Sequence, residues 1–310
     1  MGVFKKTKFE DFGLGSKATA GKFRFLNKDG TFNVTKYNVP FFTRINAFHS
    51  LITMPWLHFM GWVFVGYLVV NVFFALIYLS IGVEHLTGII ENSLFDKFVE
   101  AFFFSSQTIT TLGYGRVAPV GLLANIVASI ESMLGLMSFA LATGMLFGRF
   151  SRPTGKILYS EKAVVAPFQD INGFMFRITN PQANQLLDVE VSLTVSMQKK
   201  GQDTREFHLL DLERPSVVFL PSVWTIVHPI SDDSPLNKLS QEDFENQDVE
   251  FIVMIKAFDE SSSQQVYSRS SYKASEISFG EKFAFLIEQT HKGIAIDVSK
   301  LNDTIKADLN

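Results

Sequence analysis

The sequence predicts a two-part protein: an α-helical membrane domain with two spans and a re-entrant half-helix, followed by an all-β immunoglobulin-like sandwich. Three observations predict this fold. The first half holds two long runs almost free of charge, with a shorter apolar run between them, and the second half consists of short Val-, Ile-, Phe- and Thr-rich segments separated by turn residues. With 310 residues, of which 47% are hydrophobic and 14% aromatic, the chain is long enough for two domains and too apolar for an ordinary soluble enzyme.

The first span is predicted at 56–82. No Asp, Glu, Lys or Arg occurs between positions 45 and 83, and the uncharged run exceeds the ~20 residues that a spanning helix needs. Trp56 and Trp62 near one end and Tyr78 near the other suit the aromatic belts of the two membrane interfaces.

The second span is predicted as an inner helix at 120–150, within an apolar run broken only by Glu131. Between the spans, 95–110 is apolar, but it begins with the charged residues Asp96, Lys97 and Glu100, and its uncharged part is too short to span. That combination predicts a re-entrant helix that enters the membrane and returns to the same side.

Amphipathic spacing at 41–54 predicts a short helix lying in the membrane interface, and Pro55 favours a break before the first span.

The distribution of charge predicts the orientation in the membrane. The segment 1–40 carries Lys and Arg, as does the chain after the second span, whereas the loop that connects the spans is mainly acidic. The positive-inside rule therefore places both termini in the cytoplasm. The N-terminus lacks the pattern of a signal peptide. Residues 55–153 are the predicted membrane domain and 154–310 the cytoplasmic β domain.

The prediction of a β domain rests on the alternation of apolar and polar residues. In 189–195, Val and Leu occupy every second position and Glu, Ser and Thr the positions between, as in a strand with one buried face. Several such segments, punctuated by turn signals such as Asn172-Gly173 and Lys200-Gly201, favour an all-β sandwich.

Composition excludes several classes of function. The chain has no cysteine, so it has no disulfide framework, no Cys-ligated metal site and no thiol nucleophile. The net charge of −3 gives no global basic field for nucleic acid. No phosphate-binding Gly loop, Ser/His/Asp context or metal-ligand cluster supports an enzyme, and no cofactor is expected.

The hexapeptide TTLGYG at 110–115 follows the predicted re-entrant helix. Irregular backbone at membrane depth is tolerated only where it is buried in protein or lines water. The glycines permit positive φ, which lets successive carbonyls turn the same way. Together with the Thr111 hydroxyl, such carbonyls could replace the hydration shell of a monovalent cation, as in the four-loop Thr-x-Gly-Tyr-Gly filters of potassium channels. The predicted K⁺-binding residues are Thr111, Leu112, Gly113, Tyr114 and Gly115.

One chain supplies only one wall of such a filter, so this interpretation requires a homotetramer. The C-terminal end of the re-entrant helix would direct about half a negative charge toward the cation. The predicted function is passive K⁺ conduction, with K⁺ as permeant ion. The alternative is a membrane-anchored β-sandwich sensor or binding module that conducts nothing.

Three further stretches carry a resemblance: FGRFSRP at 147–153, WTIVHPISDDSPL at 224–236 and RSSYKASEISFG at 269–280. With the order of helices and filter, they resemble the prokaryotic inward-rectifier potassium channel family over about 44–285. The resemblance implies a homotetrameric channel in the inner membrane of a bacterium, gated at the inner helix by its cytoplasmic domain and by anionic lipid. His228, inside the second stretch, is interpreted as a packed structural histidine.

The resemblance also implies roles within the inner helix. Phe147 falls at the constriction of the pore, although it could instead pack against lipid or a neighbouring helix. Gly135 falls at a hinge, or serves close helix packing. Phe139 occupies the position of the acidic residue that gives strong rectification, so rectification of that kind is not expected. Glu131 either faces the cavity or lies behind the filter bonded to Thr or Ser, and we favour the second.

Basic residues near the cytoplasmic interface are the predicted lipid-binding set, which the resemblance extends to anionic or phosphoinositide headgroups; ordinary positive-inside charge is the alternative. This set is Arg44, Arg149, Arg152 and Lys156. Asp259 and Glu260 fall on a loop that lines the cytoplasmic pore in the family, or form a solvated hairpin tip.

Overall fold

The computed structural model describes residues 8–9, 23–38, 40, 47–89, 93–151, 156–198, 204–220, 222–290 and 293–310. The chain forms two compact units, one of residues 37–152 and one that joins residues 1–36 to residues 153–310. The first unit is mainly helical and the second mainly β.

Among the described residues of the first unit the α-helices are α1 Ala47–Thr53, α2 Trp56–Ile81, α3 Leu94–Ile109 and α4 Leu122–Phe150. Of these, α2 and α4 are long and apolar enough to cross a membrane, with mean hydropathies of 2.2 and 1.6. Their length and composition confirm the two-span part of the predicted fold. Residues 41–46 of the predicted interfacial helix lie outside the described residues.

The short helix α3 has 16 residues, which corresponds to about 24 Å, less than the ~30 Å of a bilayer core. It begins at an N-cap, Ser93, whose hydroxyl accepts a hydrogen bond from the Asp96 amide at 3.1 Å. Asp96 in the first turn also suits the positive end of the helix dipole.

Small and aromatic side chains hold the helical unit together. Ala75 of α2 and Ala101 of α3 have no exposed surface, which lets these helices approach closely. The rings of Tyr78 and Phe104 pack edge to face with centroids 5.0 Å apart. Two short strands, β2 Leu86–Thr87 and β3 Ala118–Pro119, join the segments on either side of α3.

Short strands dominate the second unit, with one small helix, α5 Gln241–Asn246, capped by Ser240. The strands are β1 Lys8–Phe9, β4 Leu158–Tyr159, β5 Ala163–Phe168, β6 Ile171–Thr179, β7 Leu186–Gln198, β8 Arg205–Leu210, β9 Ser216–Phe219, β10 Val223–Pro229, β11 Glu250–Asp259, β12 Gln264–Lys273, β13 Ile277–Phe279, β14 Glu281–Phe283, β15 Ile287–Thr290, β16 Gly293–Ile296 and β17 Thr304–Lys306.

Two sheets form the sandwich. One has the order β1-β8-β7-β11-β12 with β9 also paired to β7, and the other has the order β10-β6-β5-β13 with β4 also paired to β6. The core lies between them, where Phe174 of β6 stacks on Phe251 of β11 with ring centroids 3.8 Å apart. In β7, Val189, Val191, Leu193 and Val195 are buried. The predicted all-β sandwich and the alternation that predicted it are confirmed.

The N-terminal residues 23–36 pack on the edge of the β domain. The Arg24 guanidinium donates to both carboxylate oxygens of Glu276 at 3.0 Å. The fully buried Glu250 carboxylate accepts the backbone amides of Phe25 and Leu26 at 3.0–3.1 Å. Because a buried carboxylate must be paired, these bonds hold the segment in place.

Candidate functional site

The segment 110–115 leaves the C-terminal end of α3 and turns back on it. The amides of Leu112 and Gly113 both donate to the Gln107 carbonyl, at 2.9 and 3.3 Å, and the Thr111 amide donates to the Thr108 carbonyl at 3.1 Å. The last carbonyls of the helix therefore receive partners from the segment itself. This fixes where the segment starts relative to the helix.

Backbone conformation alternates along the segment. Thr111, Gly113 and Gly115 have φ of +57°, +56° and +80°, and the residues between them are not in the positive-φ region. Such alternation turns successive peptide planes so that their carbonyls can face one side. The sequence predicted positive φ at the glycines but gave no signal for Thr111, whose side chain makes that conformation costly.

The carbonyl oxygens of Thr111, Leu112, Gly113 and Tyr114 accept no hydrogen bond within the described parts of the chain. Four consecutive unpaired carbonyls are rare in a protein, because backbone acceptors are normally paired. They lie just beyond the negative end of the α3 dipole. Chemically, this arrangement can replace the hydration shell of a monovalent cation.

The segment is open on its other sides. Leu112 and Tyr114 are 55% and 75% exposed. A Cβ added to Gly113 or Gly115 would meet nothing within 4 Å. A single chain thus presents these carbonyls along one strand of backbone with open space beside the glycines.

The far end of the segment is held by Arg116. Its guanidinium forms an ion pair with Glu100 of α3 and donates to the Gly88 carbonyl at 3.3 Å. Gly88 lies so close that a Cβ there would come within 1.9 Å of the Arg116 carbonyl oxygen. The segment is therefore anchored at both ends, by Gln107 and by Arg116.

Glu131 lies in a polar cluster between three helices, and its side chain has no exposed surface. Its carboxylate accepts the Tyr78 hydroxyl of α2 at 2.7 Å and the Ser105 hydroxyl of α3. Ser105 also lies 3.1 Å from the Asn71 side-chain oxygen. The assignment of Tyr78 to the aromatic belt is wrong: Tyr78 is 1% exposed, because its hydroxyl provides a donor for the buried carboxylate.

Removing the Glu131 carboxylate is expected to destabilise the helical unit. In Glu131→Ala the Tyr78 hydroxyl loses its acceptor inside apolar surroundings, at about 1–3 kcal/mol, whereas the Ser105 hydroxyl can still donate to the Asn71 side-chain oxygen. Glu131→Gln keeps one acceptor oxygen and should lose less. Thermal unfolding of the detergent-solubilised protein should rank the melting temperatures as wild type, then Glu131→Gln, then Glu131→Ala. Ser129→Ala is the control, because the Ser129 hydroxyl donates to a carbonyl of its own helix. Equal melting temperatures for Glu131→Ala and wild type would contradict the proposed role of this cluster.

One helical turn beyond Glu131, Gly135 contacts the end of α3. A Cβ at Gly135 would stand 2.1 Å from the Ile109 carbonyl oxygen, so the two helices touch through backbone atoms here. Further along α4, Phe139 and Phe147 are 75% and 72% exposed in the single chain. These exposed aromatic side chains leave one apolar face of α4 open to partners.

Two of the predicted lipid-binding residues, Arg149 and Lys156, lie within the described part of the chain. Both terminal nitrogens of Arg149 donate to backbone carbonyls of residues 51–54, at 2.5–3.2 Å. Lys156 is exposed. Arg44 and Arg152 lie outside the described residues.

The loop between β11 and β12 carries the predicted vestibule acids. Asp259 is 5% exposed, and its carboxylate accepts hydrogen bonds from Asn184 at 2.8 Å, from the Ser262 hydroxyl at 2.9 Å and from the Ser261 amide at 3.2 Å. Glu260 is exposed at the tip. Asp259 thus shapes the hairpin, and Glu260 presents its charge to solvent.

His228 on β10 is buried within the second unit. Nδ1 lies 2.6 Å from the Asp211 carbonyl, which can only accept, so Nδ1 carries the proton and Nε2 accepts the Ser234 hydroxyl at 2.8 Å. The Ser234 oxygen in turn accepts the Leu236 amide at 3.1 Å. Neutral His228 therefore holds the 231–236 loop.

Acidification is expected to destabilise the protein through His228. Burial is the main cause that lowers the pKa of His228 below its ordinary 6.5. Between that lowered pKa and 6.5 the unfolded chain binds a proton that the folded chain does not, so stability is complete above 6.5 and falls as pH decreases. Thermal unfolding at pH 5–8 should show a smaller pH dependence in His228→Asn than in wild type. Identical pH profiles would contradict this.

Fold and site together define the class: a two-span membrane protein with a re-entrant helix and an attached β-sandwich domain. A family model described as "Ion channel" matches residues 62–152, and one described as "Inward rectifier potassium channel C-terminal domain" matches residues 157–310.

Curated relatives agree with these matches. The chain is 33% identical over 294 residues to the inward rectifier potassium channel Kirbac3.1 of Paramagnetospirillum magnetotacticum, covering 93% of this chain and 98% of that one. It is 28% identical to the ATP-sensitive inward rectifier potassium channel 12 of Gallus gallus, covering 94% of this chain and 74% of that one. The chain therefore belongs to the inward rectifier potassium channel family, and its similarity to Kirbac3.1 supports the prokaryotic type.

Proposed function

We propose that four copies of this chain form a K⁺-selective channel whose filter is the segment Thr111–Gly115. The observation that carries the proposal is the row of four carbonyl oxygens from Thr111 to Tyr114, which accept no hydrogen bond from the described residues, on a backbone with alternating positive φ. Carbonyls arranged in this way exchange for water around K⁺. The negative end of α3 adds attraction for a cation at the same place.

The exposed surfaces of one chain support a homotetramer. Leu112 and Tyr114 are exposed in one chain, and the glycines between and after them have open space around them. Phe139 and Phe147 are likewise exposed on α4 within the described part of the chain, where they form an apolar face. Four copies around one axis would cover these surfaces and complete the coordination shell.

Control of conduction is proposed to lie at the other end of α4. Four Phe147 side chains around the axis would form an apolar constriction that excludes water. Phe139 provides no carboxylate to hold polyamines or magnesium, so strong rectification is not expected. Gly135, in backbone contact with Ile109, connects the inner helix to the end of α3.

Regulation is proposed to come from the β domain, on the cytoplasmic side, and from anionic lipid. Exposed Lys156, with Arg44 and Arg152, would attract anionic or phosphoinositide headgroups at ~1 kcal/mol for each charge. Exposed Glu260 would place negative charge in the cytoplasmic vestibule. In this arrangement the protein lies in the inner membrane of a bacterium with both termini in the cytoplasm.

Reconstitution tests the proposal. The purified protein in liposomes should take up Rb⁺ and K⁺, exclude Na⁺ and be blocked by Ba²⁺, and its native mass should equal that of four chains. Flux should depend on the fraction of anionic lipid. A folded protein that passes no ion would favour the alternative function, a membrane-anchored β-sandwich sensor or binding module.

A further inference from the structure

The interfacial helix α1 ends against α4. The Gly148 position lies so close that an added Cβ would stand 3.3 Å from Ile52 Cδ1. The last four carbonyls of a helix have no partner within it, and in α1, which ends at Thr53, these are the carbonyls of residues 50–53.

Arg149 supplies the missing donors. Its Nη1 donates to the Leu51 carbonyl at 2.5 Å and to the Ile52 carbonyl at 3.2 Å, and its Nη2 donates to the Met54 carbonyl at 2.7 Å. The positive charge also stands at the negative end of the α1 dipole.

Aromatic rings on α2 enclose the same guanidinium. Its Cζ lies 4.7 Å from the ring centroid of Phe59 and 5.4 Å from that of Trp56, within the range of cation–π attraction. The Nε atom is buried and has no hydrogen-bond partner among the described residues. Both terminal nitrogens, through which a lipid headgroup would be bound, are instead directed to backbone carbonyls.

We propose that Arg149 is a positioning residue that caps the C-terminal end of α1 and fixes the end of α4 to this interfacial helix. Phe147 lies two residues before it on α4, so the height and orientation of the proposed constriction follow the position of α1. The planar fork of arginine can reach three carbonyls at once, whereas the lysine ammonium is a single point of charge.

This inference rests on the proposed function only in taking Phe147 as the constriction of the pore. Its test does not require the protein to conduct ions. Because the chain has no cysteine, one nitroxide label can be placed at Phe48→Cys on α1, where the native side chain is 61% exposed. Electron paramagnetic resonance of the reconstituted protein then reports how tightly α1 is held.

Arg149→Lys keeps the charge and the aliphatic stem but loses the fork. We expect a clearly more mobile label in Arg149→Lys than in wild type, in vesicles of pure phosphatidylcholine as well as in vesicles with anionic lipid. Gly148→Leu keeps Arg149 but pushes Ile52 away, and it should also mobilise the label. The control Lys162→Gln, which removes an exposed positive charge from the β domain, should leave the spectrum unchanged.

Two results would overturn the proposal. A wild-type spectrum for Arg149→Lys would show that charge alone is sufficient, as expected for a headgroup ligand. A difference between wild type and Arg149→Lys that appears only with anionic lipid would likewise assign Arg149 to lipid binding. In either case K⁺ conduction by the channel would remain a separate question, settled by the flux assay.

Discussion

Replacing Gly113 by aspartate is expected to abolish K⁺-selective flux. Gly113 has φ of +56°, a conformation that costs an L-residue about 1–2 kcal/mol, and the new carboxylate would lie beside the row of carbonyls. Rb⁺ uptake into liposomes should fall about a hundredfold, equivalent to ~2.7 kcal/mol in the barrier. The protein should still fold, since an added Cβ meets nothing within 4 Å in its own chain.

The matched control for this change is Gly61→Ala on α2, where an added Cβ also meets nothing within 4 Å but φ is not positive. Its Rb⁺ uptake should equal that of wild type. If Gly113→Asp kept selective flux at the wild-type rate, the segment 111–115 would not be the filter.

Replacing Gly135 by alanine should strongly destabilise the helical unit. The new Cβ would stand 2.1 Å from the Ile109 carbonyl oxygen and 2.9 Å from its carbonyl carbon. Backbone atoms at a helix end cannot move aside as a side chain can, so α4 must shift away from α3. Overpacking of this kind costs about 1–3 kcal/mol or more, measured as a lower melting temperature of the purified protein.

Gly144 on the same helix provides the comparison, because an added Cβ there meets nothing within 4 Å. Gly144→Ala should be neutral or stabilising, by up to ~1 kcal/mol from helix propensity. Because Ile109 directly precedes the segment 110–115, Gly135→Ala should also reduce ion selectivity. A hinge role without close packing predicts instead that Gly135→Ala and Gly144→Ala change stability alike.

The fold class could be predicted because the length of apolar runs and the spacing of apolar residues are strong signals of secondary structure. Two long runs almost free of charge are long and apolar enough to cross a membrane, and the strict alternation in 189–195 matches a strand with one buried face. The structure confirms both.

Contacts between residues that lie far apart in the chain could not be predicted from the sequence. Glu131 alone in an apolar run requires a donor, but its partners Tyr78 and Ser105 are 53 and 26 residues away. One signal was available: Asn71 and Tyr78 are seven apart and therefore lie on one face of α2, a polar stripe on a helix that otherwise suits lipid. Arg149 shows the opposite problem. Its position predicted a lipid ligand, and only the structure reveals that it donates to the Leu51 and Met54 carbonyls, at and just beyond the end of α1.

The most direct test of the central claim is the reversal potential of the reconstituted protein in a planar bilayer, with K⁺ on one side and Na⁺ on the other. If carbonyls of Thr111–Tyr114 from four chains form the conduction path, current should reverse far from zero, in the direction that K⁺ permeation sets, and Gly113→Asp should remove this current. Reversal at zero voltage, with equal K⁺ and Na⁺ permeability, would contradict a selective filter in this segment.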